Sequence, residues 1–161
     1  MPLMKSSLAK DLESIFNSKP SSTADAASQW AKAYATYAAA ALSSVASLPV
    51  TAMATVSVLQ GAFMGGLSAM SSATAGSLIA QGVTSYWQAM TWAGPAASGV
   101  TSFPGNAALA GALSSVFSDL SKKSNAEKGS DLADAFDAGA KAVMVSDVLF
   151  AGGVTTVGPI Q

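Results

Sequence analysis

Apolar positions recur along the chain at helical spacing. Leu8, Leu12, Ile15 and Phe16 fall at i, i+4, i+7 and i+8, which is one face of an amphipathic helix. Leu109, Leu113, Val116 and Phe117 repeat that spacing in the last third of the chain. Leu59, Phe63 and Leu67 begin a fainter third copy, which Leu78 to Trp87 complete. One residue out of register, Trp30-Ala31-Lys32-Ala33-Tyr34 aligns with Leu132-Ala133-Asp134-Ala135-Phe136. The pattern predicts a repeat of about 50 residues. Each unit reads as two helices and an extended connector: 6–17 with 24–44, 56–70 with 74–90, and 106–120 with 126–148.

Local signals support these boundaries. Ser22 with Asp25 and Ser124 with Glu127 have capping-box spacing, and Asn106 after Pro104-Gly105 reads as an N-cap. The connectors Pro49-Val50-Thr51, Gly99 to Pro104 and Gly152 to Ile160 set β-branched residues among Gly and Pro, which favours extended chain. The predicted fold class is mainly α: an Ala-rich bundle of five to six helices, arranged as three αα units, with short extended connectors. Residues 1–150 form the helical domain and 151–161 an extended C-terminal docking tail. Alanine has the highest helix propensity, and its small side chain lets helix axes approach closely. The aromatics Phe16, Trp30, Tyr34, Tyr37, Phe63, Tyr86, Trp87, Trp92, Phe117 and Phe136 supply the larger core pieces.

Composition narrows the chemistry. The chain of 161 residues has eight Lys, nine acids, and no His or Cys, with a net charge of −1. All the cations are Lys, and residues 33–118 contain no Asp, Glu, Lys, Arg or His. Without Cys there is no disulfide, thiol nucleophile or thiolate metal site. Without His there is no Ser–His pair and no imidazole ligand. Without Arg there is no bidentate phosphate clamp, and no basic footprint marks a nucleic-acid surface. The reading is therefore of a protein that is not an enzyme, with no cofactor, metal, nucleic acid or small-molecule substrate. The uncharged stretch raises the question of a membrane span. Mean hydropathy is +0.40, but the most apolar window, Leu48 to Gly66, carries Pro49, Thr, Ser57, Gln60 and three Gly, short of the roughly 20 predominantly apolar residues a span needs. Asp11 and Glu13 lie where a signal peptide would need its apolar region.

Four features could carry a site. Gly61 and Gly65 have GxxxG spacing, which in a helical bundle marks a close crossing and in a membrane helix a dimer face. Glu127, Asp131, Asp134 and Asp137 share a helical register, but Lys128 and Lys141 intersperse them and Asp137–Lys141 is a favourable i,i+4 pair, so they read as a solvated face before a cation site. Tyr34, Tyr37, Tyr86, Trp87 and Trp92 read as core before interface anchors. The run containing Val154, Thr155, Thr156, Val157, Pro159 and Ile160 is apolar, β-branched and uncharged behind a Gly-Gly hinge. Such a tail needs a cover. The tail can fold back onto its own domain or add a strand to a neighbouring subunit's sheet; helices alone offer it no sheet edge within the domain, which favours the second, and these six residues are read as partner-binding.

The opening Met1 to Leu8, then Leu12, Ile15-Phe16 and Ala27 to Tyr34, together with Tyr86-Trp87, Ala93-Gly94-Pro95 and the Val-Thr-rich tail, resembles small Ala/Gly-rich virion structural proteins of tailed bacteriophages. The resemblance spans most of the chain and its motifs are short. It implies a many-copy structural subunit near the neck, tail or baseplate, assembled in the host cytoplasm, whose partners are other virion proteins and copies of itself. The main alternative is a membrane-active protein, holin-like or pore-forming. A secreted helical effector is a third reading, weakened because Trp87 lacks the adjacent Gly of the WxG turn.

Overall fold

The structure is a computed structural model and describes residues 3–150 and 152–161. Met1 and Pro2, which begin the opening motif, and Ala151, which begins the tail, lie outside the described residues. Six α-helices dominate these: α1 (Lys5–Ser18), α2 (Thr23–Ala38), α3 (Val56–Leu67), α4 (Ser72–Gln88), α5 (Asn106–Asp119) and α6 (Asn125–Lys141). Five short strands accompany them: β1 (Leu48–Pro49), β2 (Trp92–Ala93), β3 (Ala96–Ser102), β4 (Met144–Leu149) and β5 (Thr155–Pro159). The fold is mainly α with a small antiparallel sheet portion.

The caps explain where the long helices start. Ser22, Ser71 and Ser124 each accept the backbone N–H three residues on, from Asp25, Thr74 and Glu127. At α6 the capping box is complete, because the Glu127 carboxylate also accepts the Ser124 N–H. Two turns beyond each cap the buried residue is Trp30, Ile79 or Leu132, and one turn further it is Tyr34, Val83 or Phe136. The shorter helices bury Leu8, Leu59 and Leu109 at their starts, then Leu12, Phe63 and Leu113. Equivalent positions of the three helix pairs thus bury equivalent faces.

Each helix packs on the next in chain order, and α6 returns to pack on α1, which closes a ring. Aromatic edges fill its centre. Trp30 meets Phe63 at 5.9 Å, Phe63 meets Phe136 at 5.9 Å, and Tyr34 meets Phe136 at 5.1 Å, all edge-to-face. Two glycines let the backbones of neighbouring helices meet. A Cβ at Gly76 of α4 would lie 2.5 Å from the Ala110 carbonyl oxygen of α5, and one at Gly129 of α6 would lie 2.6 Å from the Ala9 carbonyl oxygen of α1. Only the absence of a side chain allows these approaches.

Several expectations from the sequence are corrected. Helix α2 ends at Ala38, not 44, and the released segment runs across the sheet. Asn106 is the first helical residue rather than the cap, and its amide donates to the Ala80 carbonyl at 3.0 Å and the Thr84 hydroxyl at 2.6 Å on α4. Gly61 has open space around it and Gly65 only an ordinary contact with Leu78, so the GxxxG pair makes no close crossing; Gly66, packed on Ile79, does. Helix α6 stops at Lys141, and 144–149 is strand rather than helix.

That last difference changes the tail. Strands β3, β4 and β5 form one antiparallel sheet in that order. The tail finds in β4 the sheet edge that an all-helical reading denied it. The division at 150/151 falls within the β4–β5 hairpin, whose turn uses Gly152 at φ 94° and Gly153 at φ 63°. The premise for strand addition in trans, that the chain holds no edge for its own tail, does not hold.

Candidate functional site

Titratable groups in the ring serve packing. The Tyr37 hydroxyl donates to Asp137 Oδ1 at 2.7 Å, and Lys141 Nζ donates to Oδ2 at 2.7 Å. Trp87 Nε1 donates to the Tyr34 hydroxyl at 2.9 Å, and the Tyr86 hydroxyl donates to the Ala52 carbonyl at 3.0 Å. Burial holds all three phenols well above their usual range, with the neighbouring Asp137 adding to the effect at Tyr37. All three are protonated: Tyr37 donates to α6, Tyr86 donates to the loop before α3, and Tyr34 accepts from α4. The aromatics read as core are buried, with Phe16 and Phe117 partly so at the edge.

The acidic residues of α6 separate into individual partnerships. Glu127 caps its helix, Asp131 pairs with Lys123, Asp134 pairs with Lys5 at 2.6 Å, and Asp137 pairs with Lys141. The paired carboxylates raise the Lys5 and Lys123 pKa values. No group of three or more metal-ligating side chains converges among the described residues.

The sheet layer is different in character. On its inner face Ser98, Asp147 and Thr156 sit side by side across β3, β4 and β5. The segment released from α2 packs beneath them. Ser44 Oγ donates to Asp147 Oδ2 at 2.9 Å, and Ser98 Oγ donates to Ser47 Oγ at 2.9 Å. Asp147 is fully buried, takes part in none of the ion pairs found among the described residues, and has Oδ1 without a protein partner. A helix over 126–148, as the sequence predicts, gives this residue no place on a sheet face. The alternation of buried Val143, Val145 and Asp147 was the available signal.

The outer face has no charge. On it Val148 is 40% exposed and Val157 58%, and at the adjoining hairpin turn Phe150 is 75% and Val154 55% exposed. Ala97, Thr101, Thr155 and Pro159 complete this surface. Beside it a shallow depression of about 650 Å³ follows the start of β3, between buried Trp92 and exposed Phe150. The indole Nε1 of Trp92 has no partner in the chain. Of the six tail residues, Val154, Thr155, Val157 and Pro159 are exposed, Thr156 is half-buried near Ser44, and Ile160 is buried with its N–H on the Val143 carbonyl. The arrangement offers exposed apolar area beside strand edges.

No protein-family model matches this chain, and neither a curated protein nor a solved structure matches it. No helix among the described residues is long and apolar enough to cross a membrane.

Proposed function

We propose that this chain is a structural subunit of a tailed-phage particle, in the neck, tail or baseplate, acting by protein–protein assembly and not by catalysis. The carrying observation is the uncharged outer face of the β3–β4–β5 sheet with the turn beside it, where Val157 on the face and Phe150 and Val154 at the turn are more than half exposed. Exposed apolar surface of this kind suits permanent contacts, since obligate interfaces resemble a domain core cut in half. Few charges keep the free chain in solution, which favours a surface covered by neighbours. In this reading Val154, Thr155, Val157 and Pro159 face a neighbouring virion protein or another copy, while Thr156 and Ile160 hold the hairpin that presents them. The matching burial of the three helix pairs supports an origin by internal duplication.

The test is the protein inventory of purified particles by mass spectrometry, with band intensity for copy number. Recovery in stoichiometric, many-copy amounts supports the proposal. Absence from particles, together with carbonate-resistant pelleting with host membranes, overturns it in favour of a holin-like protein.

A further inference from the structure

The direction of each backbone group in the sheet follows from one hydrogen bond. Ile160 donates its N–H to the Val143 carbonyl. Because antiparallel pairs alternate, Val143, Val145 and Asp147 turn their backbone groups to β5, and Met144, Ser146 and Val148 turn theirs to β3. Opposite these last three stand Ser102, Gly99 and Ala97. Ser98 and Val100 therefore point N–H and C=O away from β4, along an edge that no other strand among the described residues occupies.

The two edges of the sheet are not alike. On β5, Thr155, Val157 and Pro159 face outward, but Pro159 has no N–H, and Gln161 exchanges both backbone hydrogen bonds with Leu42 at 3.0 and 3.1 Å. Proline and a covering segment are the usual ways of closing an edge. On β3 there is no proline, and no strand among the described residues pairs with its outer edge, although β2 and α4 pack against the strand. Ala96-Ala97-Ser98-Gly99-Val100-Thr101-Ser102 carries no charge and no proline, and its single irregularity lies at the far end, between Val100 and Ser102.

We propose that β3 pairs antiparallel with β3 of a second copy of this chain, across a twofold axis at Gly99. Ser98 then faces Val100 of the partner subunit and exchanges both backbone hydrogen bonds with it, and the symmetry repeats the exchange on the other side of the axis. Both copies' open edges close through one self-complementary contact, with no charge to desolvate. Gly99 lies in the non-hydrogen-bonded position, where facing Cα atoms come within about 4.5 Å. Glycine on the axis leaves that approach unobstructed, and the outer faces of the two sheets join into one surface. The inference rests on the assembly-subunit reading and names one of its partners.

The absence of cysteine from the chain makes a clean test. A Cβ at Gly99 would meet nothing within 4 Å, so Gly99→Cys fits the monomer. The spacing across the axis falls within the Cα range of about 4.4–6.8 Å that a disulfide accepts. Under mild oxidation of the purified protein, Gly99→Cys is expected to form a covalent dimer at least tenfold faster than Val157→Cys on the opposite edge. Adding Val100→Pro removes an outward N–H together with a side chain packed on the core, and Ser98→Pro removes an outward N–H together with the Ser47 hydrogen bond; whichever variant keeps the melting temperature is expected to abolish that advantage. Equal rates for the two cysteine variants, or an advantage that survives a well-folded proline variant, overturn the pairing. Cross-linking is read in solution, so its failure is separate from absence of the chain from particles.

Discussion

The Gly129 joint sets how α6 closes the ring on α1, and Gly129→Ala perturbs it with one carbon. The new Cβ would lie 2.6 Å from the Ala9 carbonyl oxygen, 2.9 Å from the Glu13 nitrogen and 3.2 Å from the Glu13 Cα. All three are backbone atoms, so relief requires α1 to move away from α6. Two effects oppose each other. Alanine in a helix interior gains about 1 kcal/mol over glycine. Overpacking a close contact costs about 1–3 kcal/mol, towards the upper end where the obstacle is backbone. The expected net loss is about 1–2 kcal/mol, or about 2–8 °C in Tm for a chain of this size. Gly111→Ala on α5 is the matched control, since its Cβ would meet nothing within 4 Å and the position is exposed. It should gain about 0.5–1 kcal/mol and raise Tm by a few degrees. Thermal and urea unfolding followed by circular dichroism measures both. If Gly129→Ala is as stabilising as Gly111→Ala, α1 and α6 do not meet as described and the ring does not close at this joint.

Other expectations follow from single contacts. Tyr37→Phe leaves the buried Asp137 carboxylate without its 2.7 Å donor and should cost about 1.5–3 kcal/mol in urea unfolding. Ser124→Ala should cost about 1 kcal/mol by removing the α6 cap. Hydrogen bonds from Ser124 lower the Glu127 pKa from 4.5, so this carboxylate contributes stability above pH 4.5 that is lost as pH falls through its lower folded value; Glu127→Gln should flatten that acid-side slope in a pH series of Tm. Phe150→Ser, at a 75% exposed position, should change stability by less than about 0.5 kcal/mol yet reduce the chain's recovery in assembled particles.

The sequence made the helices legible because each is announced twice, by a cap and by an apolar stripe. Ser22 and Ser124 cap as expected, and Leu8, Leu12, Leu109 and Leu113 face the core as their spacing demands. Legibility failed where local preference and tertiary contact disagree. Ala39, Ala40 and Ala41 could continue α2 on propensity alone, yet the chain leaves the helix there. Leu42 pairs with Gln161 and Ser44 binds Asp147 instead, contacts separated from it by most of the chain. Residues 143–148 read as a continuation of the Ala-rich helix α6, yet the helix stops at Lys141. The segment's β-branched residues alternate between inner and outer faces, a period-two signal too short to outweigh the preceding helical one. The sheet went unseen with it, and so did the edge of β3, since edge character depends on which neighbours a strand lacks.

The ring also has a kinetic consequence. Its last joint brings α6 onto α1, the final helix onto the first. During synthesis α2 covers α1 only in part, and the joint of α1 with α6, its larger neighbour contact, waits until almost the whole chain has emerged. Contacts of such sequence separation slow folding, because loop closure precedes any reward from them. Domains that expose apolar faces for that time are prone to aggregate. A chain with few charges for self-repulsion is then most vulnerable on the ribosome rather than after folding. Chaperones are expected to meet it there, with α1 as the segment they hold.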